Sequence, residues 1–271
     1  RADVGWGHPA IGQGTATTMG DMIMSTFDYT AGPTVATRAR LGVIILQSDE
    51  TLEHDLRRMI PEDGVGVYAS RIPNAPEVSS ETLAEMAGVL THTAGLLPTR
   101  TDYDVVGYGC TSGTAVIGAD RIAGMIHDGC NTGHVTEPLT ALIAACKALN
   151  LKKIAFLSPY VEEVSNRLRQ RLDDAGIATP LFGSFNEAIE SQVARIDGDS
   201  VMAAATTLYE SGDCDGIFMS CTNLQTLNVI AELEDRCGCP VLSSNLVLAW
   251  HMMTLSGLSS HNPQLGSLLR H

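Results

Sequence analysis

The sequence predicts an α/β protein with two pseudo-symmetric halves, each a parallel sheet flanked by helices, and a functional site between them. Two observations support this prediction. Short apolar runs alternate along the chain with amphipathic stretches, which is the pattern of parallel strands joined by helical crossovers. One strand-and-turn motif also occurs twice at a constant register, which indicates an internal duplication.

The elements of the first half begin after an unpatterned start. Residues 1–40 show no sustained period, and we interpret them as an N-terminal extension that wraps the domain or serves an oligomer contact. Leu41-Gly-Val-Ile-Ile-Leu46 is a continuous apolar run, as expected of a strand buried on both faces. Further strands are predicted at 65–70 and 105–108, and a helix at 79–97. We assign 41–133, together with about 245–258, to this half.

The second half, 134–244, repeats the same order of elements. Strands are predicted at 153–157, 180–185, 216–219 and 240–242, and helices at 161–175, 200–211 and 224–236; a last helix, at 245–255, follows this half and belongs to the first. We expect the tail after Ser256 to be flexible.

The repeated motif places two cysteines in matched turns. Asp104-Val-Val-Gly-Tyr-Gly-Cys110-Thr-Ser and Asp215-Gly-Ile-Phe-Met-Ser-Cys221-Thr-Asn share an Asp, an apolar strand and a Cys-Thr pair at the same spacing. The same offset of 111 residues relates Val43 to Ile154 in the first strand of each half. The register therefore holds at two independent places.

Both Cys-Thr pairs lie where ligands bind in open parallel sheets, at the carboxyl ends of strands. We expect Cys110 and Cys221 to face one small ligand from opposite sides. Backbone N–H groups after each cysteine are expected to lower the thiol pKa. A single cysteine at a strand end is more often a small buried hydrophobe, but the matched pair favours catalysis.

Composition excludes several classes of protein. With 44% hydrophobic and 18% charged residues in 271, the chain has the composition of a globular protein with a core. A net charge of −14 argues against nucleic acid as a partner, and no apolar run is long enough for a membrane span. The seven cysteines are irregularly spaced and no secretory-type start is visible, which favours reduced thiols in the cytoplasm. No metal cluster is predicted.

These motifs resemble the aspartate/glutamate racemase superfamily, in particular its maleate cis–trans isomerase and arylmalonate decarboxylase branch, including ectoine-utilisation proteins. The resemblance covers roughly residues 41–255 and rests on four segments: Gly109-Cys110-Thr-Ser-Gly, Leu157-Ser-Pro-Tyr160, Ser220-Cys221-Thr-Asn-Leu and Pro240-Val-Leu-Ser-Ser-Asn245. It implies two Rossmann-like (flavodoxin-like) halves. It also implies catalysis without metal or organic cofactor.

The resemblance also implies roles for individual residues. Cys110 is expected to be the nucleophile or base on one face of the substrate, and Cys221 the acid or base on the other. Tyr160 resembles the tyrosine that hydrogen-bonds a substrate carboxylate in the family. The other carboxylate-binding residues would be Thr111, Ser112, Thr222 and Asn223.

Two departures from the family pattern bear on the substrate. Arylmalonate decarboxylases typically keep only the second cysteine, so the presence of both disfavours decarboxylation here. Maleate isomerases carry an Asn after the first strand, where this chain reads Ser48-Asp-Glu50-Thr. Ser48 and Glu50 are thus expected at the site, and an acid there would favour an ammonium or amidine group over a second carboxylate. Asn186 is a weaker candidate contact.

The leading functional hypothesis is a cofactor-independent isomerase, either a racemase or epimerase or a cis–trans isomerase, acting on a small carboxylate or amino-acid-like substrate. A decarboxylase with one protonating cysteine is the main alternative, and a non-catalytic small-acid binding protein is the second. A dinucleotide enzyme is disfavoured because no Gly-x-Gly-x-x-Gly follows the first strand. A homo-oligomer is expected because symmetric assemblies are common.

Overall fold

A computed structural model describes residues 16–19, 22–61, 63–99 and 101–270. The chain forms two compact units, 1–34 and 35–271. In the first unit, β1 (Ala16–Met19) and β2 (Met22–Ser25) form an antiparallel hairpin. The first fifteen residues, to which part of the predicted extension belongs, lie outside the described residues.

The first half of the larger unit is a four-stranded parallel sheet of order β4-β3-β5-β6. Its strands are β3 (Ala39–Leu46), β4 (Val65–Ile72), β5 (Tyr103–Gly109) and β6 (Thr132–Thr136). Its helices are α1 (Leu52–Met59), α2 (Ser80–Glu85), α3 (Leu90–Ala94), α4 (Thr111–Ile117), α5 (Ala119–Gly129) and α6 (Pro138–Ala148). Almost every residue of β3 is buried, because β3 is central and both of its faces are covered.

The second half is a four-stranded parallel sheet of order β10-β9-β7-β8. Its strands are β7 (Lys153–Ser158), β8 (Ala178–Ser184), β9 (Gly216–Met219) and β10 (Val241–Ser243). Its helices are α7 (Glu162–Asp174), α8 (Glu190–Val193), α9 (Gly198–Glu210), α10 (Ile230–Cys237) and α11 (Ser244–Leu255). Read in chain order, the strands of both halves take the same places in their sheets, which confirms the predicted fold class and its duplication.

Helix α11 joins the halves after the last strand. It packs against α1, β5, β6 and α6 of the first half. It is apolar around its circumference, and most of its residues are buried. A helix buried on all sides needs such a composition because no face is left for water.

Several predicted boundaries differ from the structure. The predicted helix 79–97 is broken into α2, a short 3-10 turn and α3, because Val89 leaves helical geometry. The predicted helix 224–236 begins only at Ile230, since the preceding residues form a buried turn. The boundary placed between 133 and 134 falls inside β6. The tail after Ser256, expected to be flexible, returns to the core through buried Leu268 and Leu269.

Among the described helices, none combines the length and apolar character needed to cross a bilayer.

Candidate active site

Cys110 lies directly after β5 and begins helix α4. Its backbone is extended, and its sulfur accepts a hydrogen bond from the Gly113 N–H at 3.2 Å. A Cβ at position 113 would lie 2.9 Å from that sulfur and 2.8 Å from the Tyr108 hydroxyl. The glycine of the Cys-Thr-Ser-Gly motif is therefore required because the backbone approaches the thiol closely.

Cys221 occupies the matching turn after β9. Its sulfur accepts a hydrogen bond from the Asn223 N–H at 3.3 Å and lies 2.9 Å from the Tyr160 hydroxyl. Its backbone φ is 92°, in the left-handed region that favours glycine. A non-glycine residue held there costs roughly 1–3 kcal/mol, and such strain is concentrated at functional sites.

Both cysteines line one small cavity between the halves, as the sequence predicts. The free volume of this cavity is about 20 Å³, room for a single water molecule. It is also lined by Thr111, Ser112, Tyr160 and Thr222, all four expected from the sequence. The remaining lining residues are Leu46, Asn74, Ala75, Glu77, Val78, Thr82, Leu83, Met86 and Glu190.

A cover formed by residues 74–86, the segment that contains α2, closes the cavity. It is joined to the second half by two backbone hydrogen bonds, from Val78 N–H to Ala188 O at 3.0 Å and from Glu190 N–H to Pro76 O at 3.1 Å. Because the free space beside the thiols is only about 20 Å³, we expect this cover to move when a substrate enters.

Ser244, at the start of α11, connects the two cysteine turns. Its hydroxyl oxygen accepts hydrogen bonds from the Thr111 hydroxyl at 2.8 Å and from the Cys221 N–H at 3.0 Å. The Thr222 hydroxyl donates to Gly109 O at 3.3 Å. These contacts fix each turn against the other half and orient both sulfurs toward one space.

Asn223 and Ser48 do not line the cavity, although the sequence suggests them as substrate contacts. The side chain of Asn223 is fully buried, accepting from the Glu50 N–H at 2.8 Å and donating to Glu190 O at 3.2 Å. Ser48 is hydrogen-bonded to Asn74, which does line the cavity. Both residues therefore hold neighbouring parts of the site in place by hydrogen bonds without lining the cavity.

Glu50 and Asn186 are placed away from the thiols. The Glu50 carboxylate pairs with Arg195 at 3.0 Å and faces a separate cavity on the outside of the turn. Asn186 is exposed, with a left-handed φ of 55°. The structure does not bring Glu50, a predicted substrate contact, to the cavity, because its backbone N–H is held by Asn223 and its side chain turns outward to Arg195. The neighbouring Asp49 is the buried acid of this turn.

Glu190 is the acid that the structure brings to the cavity. It is 1% exposed, and its Oε2 accepts a hydrogen bond from the Tyr160 hydroxyl at 2.6 Å. Burial raises its pKa to about 7. Sequence reasoning missed Glu190 because it follows no strand and belongs to no repeated motif.

Burial determines the protonation of both thiols. It raises the pKa of Cys110 to about 12, although the Gly113 N–H lowers it. Burial likewise raises the pKa of Cys221 well above its ordinary value, and the Glu190 carboxylate raises it further. The sequence expectation of lowered thiol pKa values thus fails for the site without substrate, because desolvation outweighs a single N–H donor.

The raised pKa of Glu190 makes stability depend on pH. Its folded pKa of about 7 lies above its ordinary 4.5, so its favourable contribution is complete below 4.5 and is lost as pH rises through 7. At pH 8 we expect the free energy of unfolding of Glu190→Gln to exceed that of wild type by roughly 3 kcal/mol. Urea unfolding measures this difference. The difference should shrink toward pH 5. An equal difference at both pH values would contradict the ionisation of this buried acid as the cause.

Comparison with known proteins agrees with this geometry. The profile of the arylmalonate decarboxylase family matches residues 126–269, more than half of the chain. The chain belongs to this family. It is 30% identical to the arylmalonate decarboxylase of Bordetella bronchiseptica over 123 residues, which are 45% of this chain and 51% of that enzyme, so the match spans about half of that relative.

Other relatives of this family member match over a greater length. The maleate isomerase of Geobacillus stearothermophilus is 24% identical over 87% of this chain and 98% of its own length. Among solved structures, a mutant of the Nocardia farcinica maleate cis–trans isomerase with a covalently bound succinylcysteine intermediate has a TM-score of 0.76. It is 23% identical, over 86% of this chain and 98% of its own. These matches confirm the predicted superfamily branch.

Proposed function

We propose that this protein is a cofactor-independent isomerase that acts on a small carboxylate through Cys110 and Cys221. The observation that carries the proposal is the pair of buried thiols that line one cavity, each held by a matched turn of a different half. Binding alone does not require thiols. The maleate isomerases among the relatives support the same class of reaction.

Two versions of the reaction fit two opposed thiols. In a racemase or epimerase, the Cys110 thiolate takes a proton from the carbon next to a carboxylate, and the Cys221 S–H gives a proton to the other face of that carbon. In a cis–trans isomerase, the Cys110 thiolate adds to a double bond, the resulting single bond rotates, and the thiolate leaves again. Negative charge that develops on the carboxylate would be stabilised by the hydroxyls of Thr111, Ser112 and Thr222.

The charge of the cavity supports a substrate that also carries a cationic nitrogen. Of the described residues that line the cavity, Glu77 and Glu190 have carboxyl groups and none has a cationic side chain. A second carboxylate would be repelled there, whereas an ammonium or amidinium group would be attracted. A cation would also favour ionisation of the buried thiols. Amino acids and ectoine-derived amino acids or cyclic amidines are therefore the finer substrate class that we propose.

The test is an NMR screen in D2O of dicarboxylates, amino acids and ectoine-derived amino acids, scored for exchange of the proton next to the carboxylate and for appearance of an isomer. We expect turnover among the nitrogen-bearing compounds and a higher KM for them in Glu77→Gln. Glu163→Gln, on the exposed side of α7, is the control. Turnover of maleate alone, unaffected by Glu77→Gln, would contradict the cationic substrate and retain the isomerase.

Decarboxylation is the second candidate, favoured by the family profile and by the Bordetella relative. The family profile matches residues 126–269, which include Cys221 and not Cys110. Release of CO2 from an arylmalonate, with dependence on Cys221 but not on Cys110, would support it over isomerisation.

We further propose that the protein is a cytoplasmic homo-oligomer. Phe27 and Tyr29 support the oligomer, since they are 74% and 91% exposed. Large apolar side chains at a surface often mark a contact between proteins. Light scattering should give a mass above that of one chain, and Phe27→Ser with Tyr29→Ser should lower it. A monomeric mass for the wild-type protein would contradict the proposal.

A further inference from the structure

Glu190, Tyr160 and Cys221 form one hydrogen-bonded chain in the wall of the cavity. The Tyr160 oxygen lies 2.6 Å from Glu190 Oε2 and 2.9 Å from the Cys221 sulfur. All three side chains are buried, so bulk solvent does not compete with these bonds. Cys110 has no comparable link to an acid; its sulfur accepts from the Gly113 N–H. The two thiols, alike in the sequence motif, therefore have different surroundings.

A count of hydrogens fixes the direction of the chain. A tyrosine hydroxyl has one hydrogen, and here Tyr160 donates it to the Glu190 carboxylate. When Glu190 is ionised, above its pKa of about 7, the contact between Tyr160 and Cys221 uses the thiol hydrogen, with sulfur as donor and the tyrosine oxygen as acceptor. This arrangement stabilises the Cys221 thiol and leaves a Cys221 thiolate without the tyrosine donor.

We propose that Glu190 is a positioning residue that keeps Cys221 protonated by holding the only hydroxyl hydrogen of Tyr160. Cys221 is then the proton donor of the pair, and Cys110 is the nucleophile or base. The proposal rests on the two-thiol isomerase proposed above; the family resemblance already implies the roles of the two cysteines, and the new element is the part that Glu190 plays in them. Nothing in the repeated Cys-Thr motif distinguishes them; Glu190 acts on Cys221 through Tyr160, whereas Cys110 has Tyr108 beside it, whose hydrogen bond lowers the pKa of that thiol.

The charges around this hydrogen-bonded chain also favour the protonated form of Cys221. Cys221 is faced by Tyr160, Glu190 and Asp49, and both carboxyl groups oppose formation of a thiolate there. Glu190 is itself faced by Tyr160 and by Asp49, whose charge adds to burial in raising the pKa of Glu190. The same two acids also raise the pKa of Cys110, but through space and without a hydrogen-bonded link.

The test compares the two thiols within one protein, without substrate. Iodoacetamide reacts with thiolates, and peptide mass spectrometry gives its rate at Cys110 and at Cys221 between about pH 6 and pH 9, where both thiols are below their raised pKa and each rate follows the small thiolate fraction. We call the rate at Cys221 divided by that at Cys110 the thiol ratio. Because both sulfurs line the same cavity, a change in access affects both rates and cancels in the ratio.

In Glu190→Gln the charge is lost, and the amide can donate to the tyrosine oxygen, which frees the Tyr160 hydrogen for a Cys221 thiolate. We expect the thiol ratio at pH 8 to rise about ten-fold, which corresponds to one pKa unit at Cys221. Glu190→Asp, which keeps the charge, should retain the wild-type ratio. Glu234→Gln should also retain it, since Glu234 is a buried acid outside the cavity.

An unchanged thiol ratio in Glu190→Gln, or a ratio that changes equally in Glu190→Asp and Glu234→Gln, would overturn the proposal. If Glu190→Gln does not fold by circular dichroism, Glu190→Ala gives the same comparison. A screen that finds no turnover would contradict the isomerase and leave the thiol ratio untouched. With an active substrate, the high-pH limb of kcat/KM should move down by about one pH unit in Glu190→Gln.

Discussion

Replacing Cys221 by alanine is expected to lower turnover by about 10²–10⁴-fold, since that is the usual contribution of a positioned proton donor or acceptor. Cys110→Ala should cause a loss of at least this size, because Cys110 supplies the nucleophile or base. Alanine keeps the Cβ of each cysteine and removes only the sulfur, so the hydrogen bonds of the thiols are lost while the backbone of both turns is retained. Circular dichroism should therefore show folded variants.

Cys146 provides the matched control for these two variants. It is fully buried on α6 and does not line the cavity. Cys146→Ala removes a buried thiol and should leave turnover unchanged in the same D2O assay. Wild-type activity in Cys110→Ala would contradict the two-thiol mechanism and favour a decarboxylase-like use of Cys221 alone.

Asn223→Ala is expected to cost about 2–4 kcal/mol of folding free energy, because it leaves the Glu50 N–H without a partner and removes one of the two donors to Glu190 O, the other being the Ala194 N–H at 3.4 Å. The bond to Glu50 joins the turn after β3 to the turn after β9, so the variant should also loosen the contact between the halves. Urea unfolding measures the loss, and turnover should fall with it as the cysteine turns separate.

Asn228→Ala tests whether that loss is specific to the buried amide. Asn228 is exposed and accepts one hydrogen bond from Arg58. Its removal should change the free energy of unfolding by less than about 0.5 kcal/mol, as is usual for surface substitutions. Similar losses of folding free energy in Asn223→Ala and Asn228→Ala would show that the buried amide of Asn223 has no special role in joining the two halves.

The sequence predicts the fold well because its signals are local. The run Leu41–Leu46 is a buried strand in both the sequence pattern and the structure, since an apolar strand in a parallel sheet has both faces covered. The 111-residue register of the two cysteine motifs correctly implies the same strand order in both sheets. Helix boundaries such as Ile230 were less predictable, because leucines are buried in the preceding turn as well as in the helix, and the apolar pattern does not separate the two.

The site was only partly predictable. The cysteines, Thr111, Ser112, Tyr160 and Thr222 line the cavity because they follow strands whose carboxyl ends meet there. The side chain of Glu50 turns outward instead, because it is hydrogen-bonded to Arg195, which lies 145 residues away in the chain. Glu190 lies at the site because a backbone hydrogen bond to Pro76 holds its segment against the cover.

The sequence by itself determined the two-half fold and the two matched cysteine turns, because strand periodicity and motif spacing are properties of neighbouring residues. Only the tertiary structure decided the electrostatics of the site. The pKa of a thiol depends on burial and on acids brought from distant segments, and the sequence carries no local sign of either. That is why two cysteines with the same motif differ, with Cys221 linked through Tyr160 to Glu190 and Cys110 not.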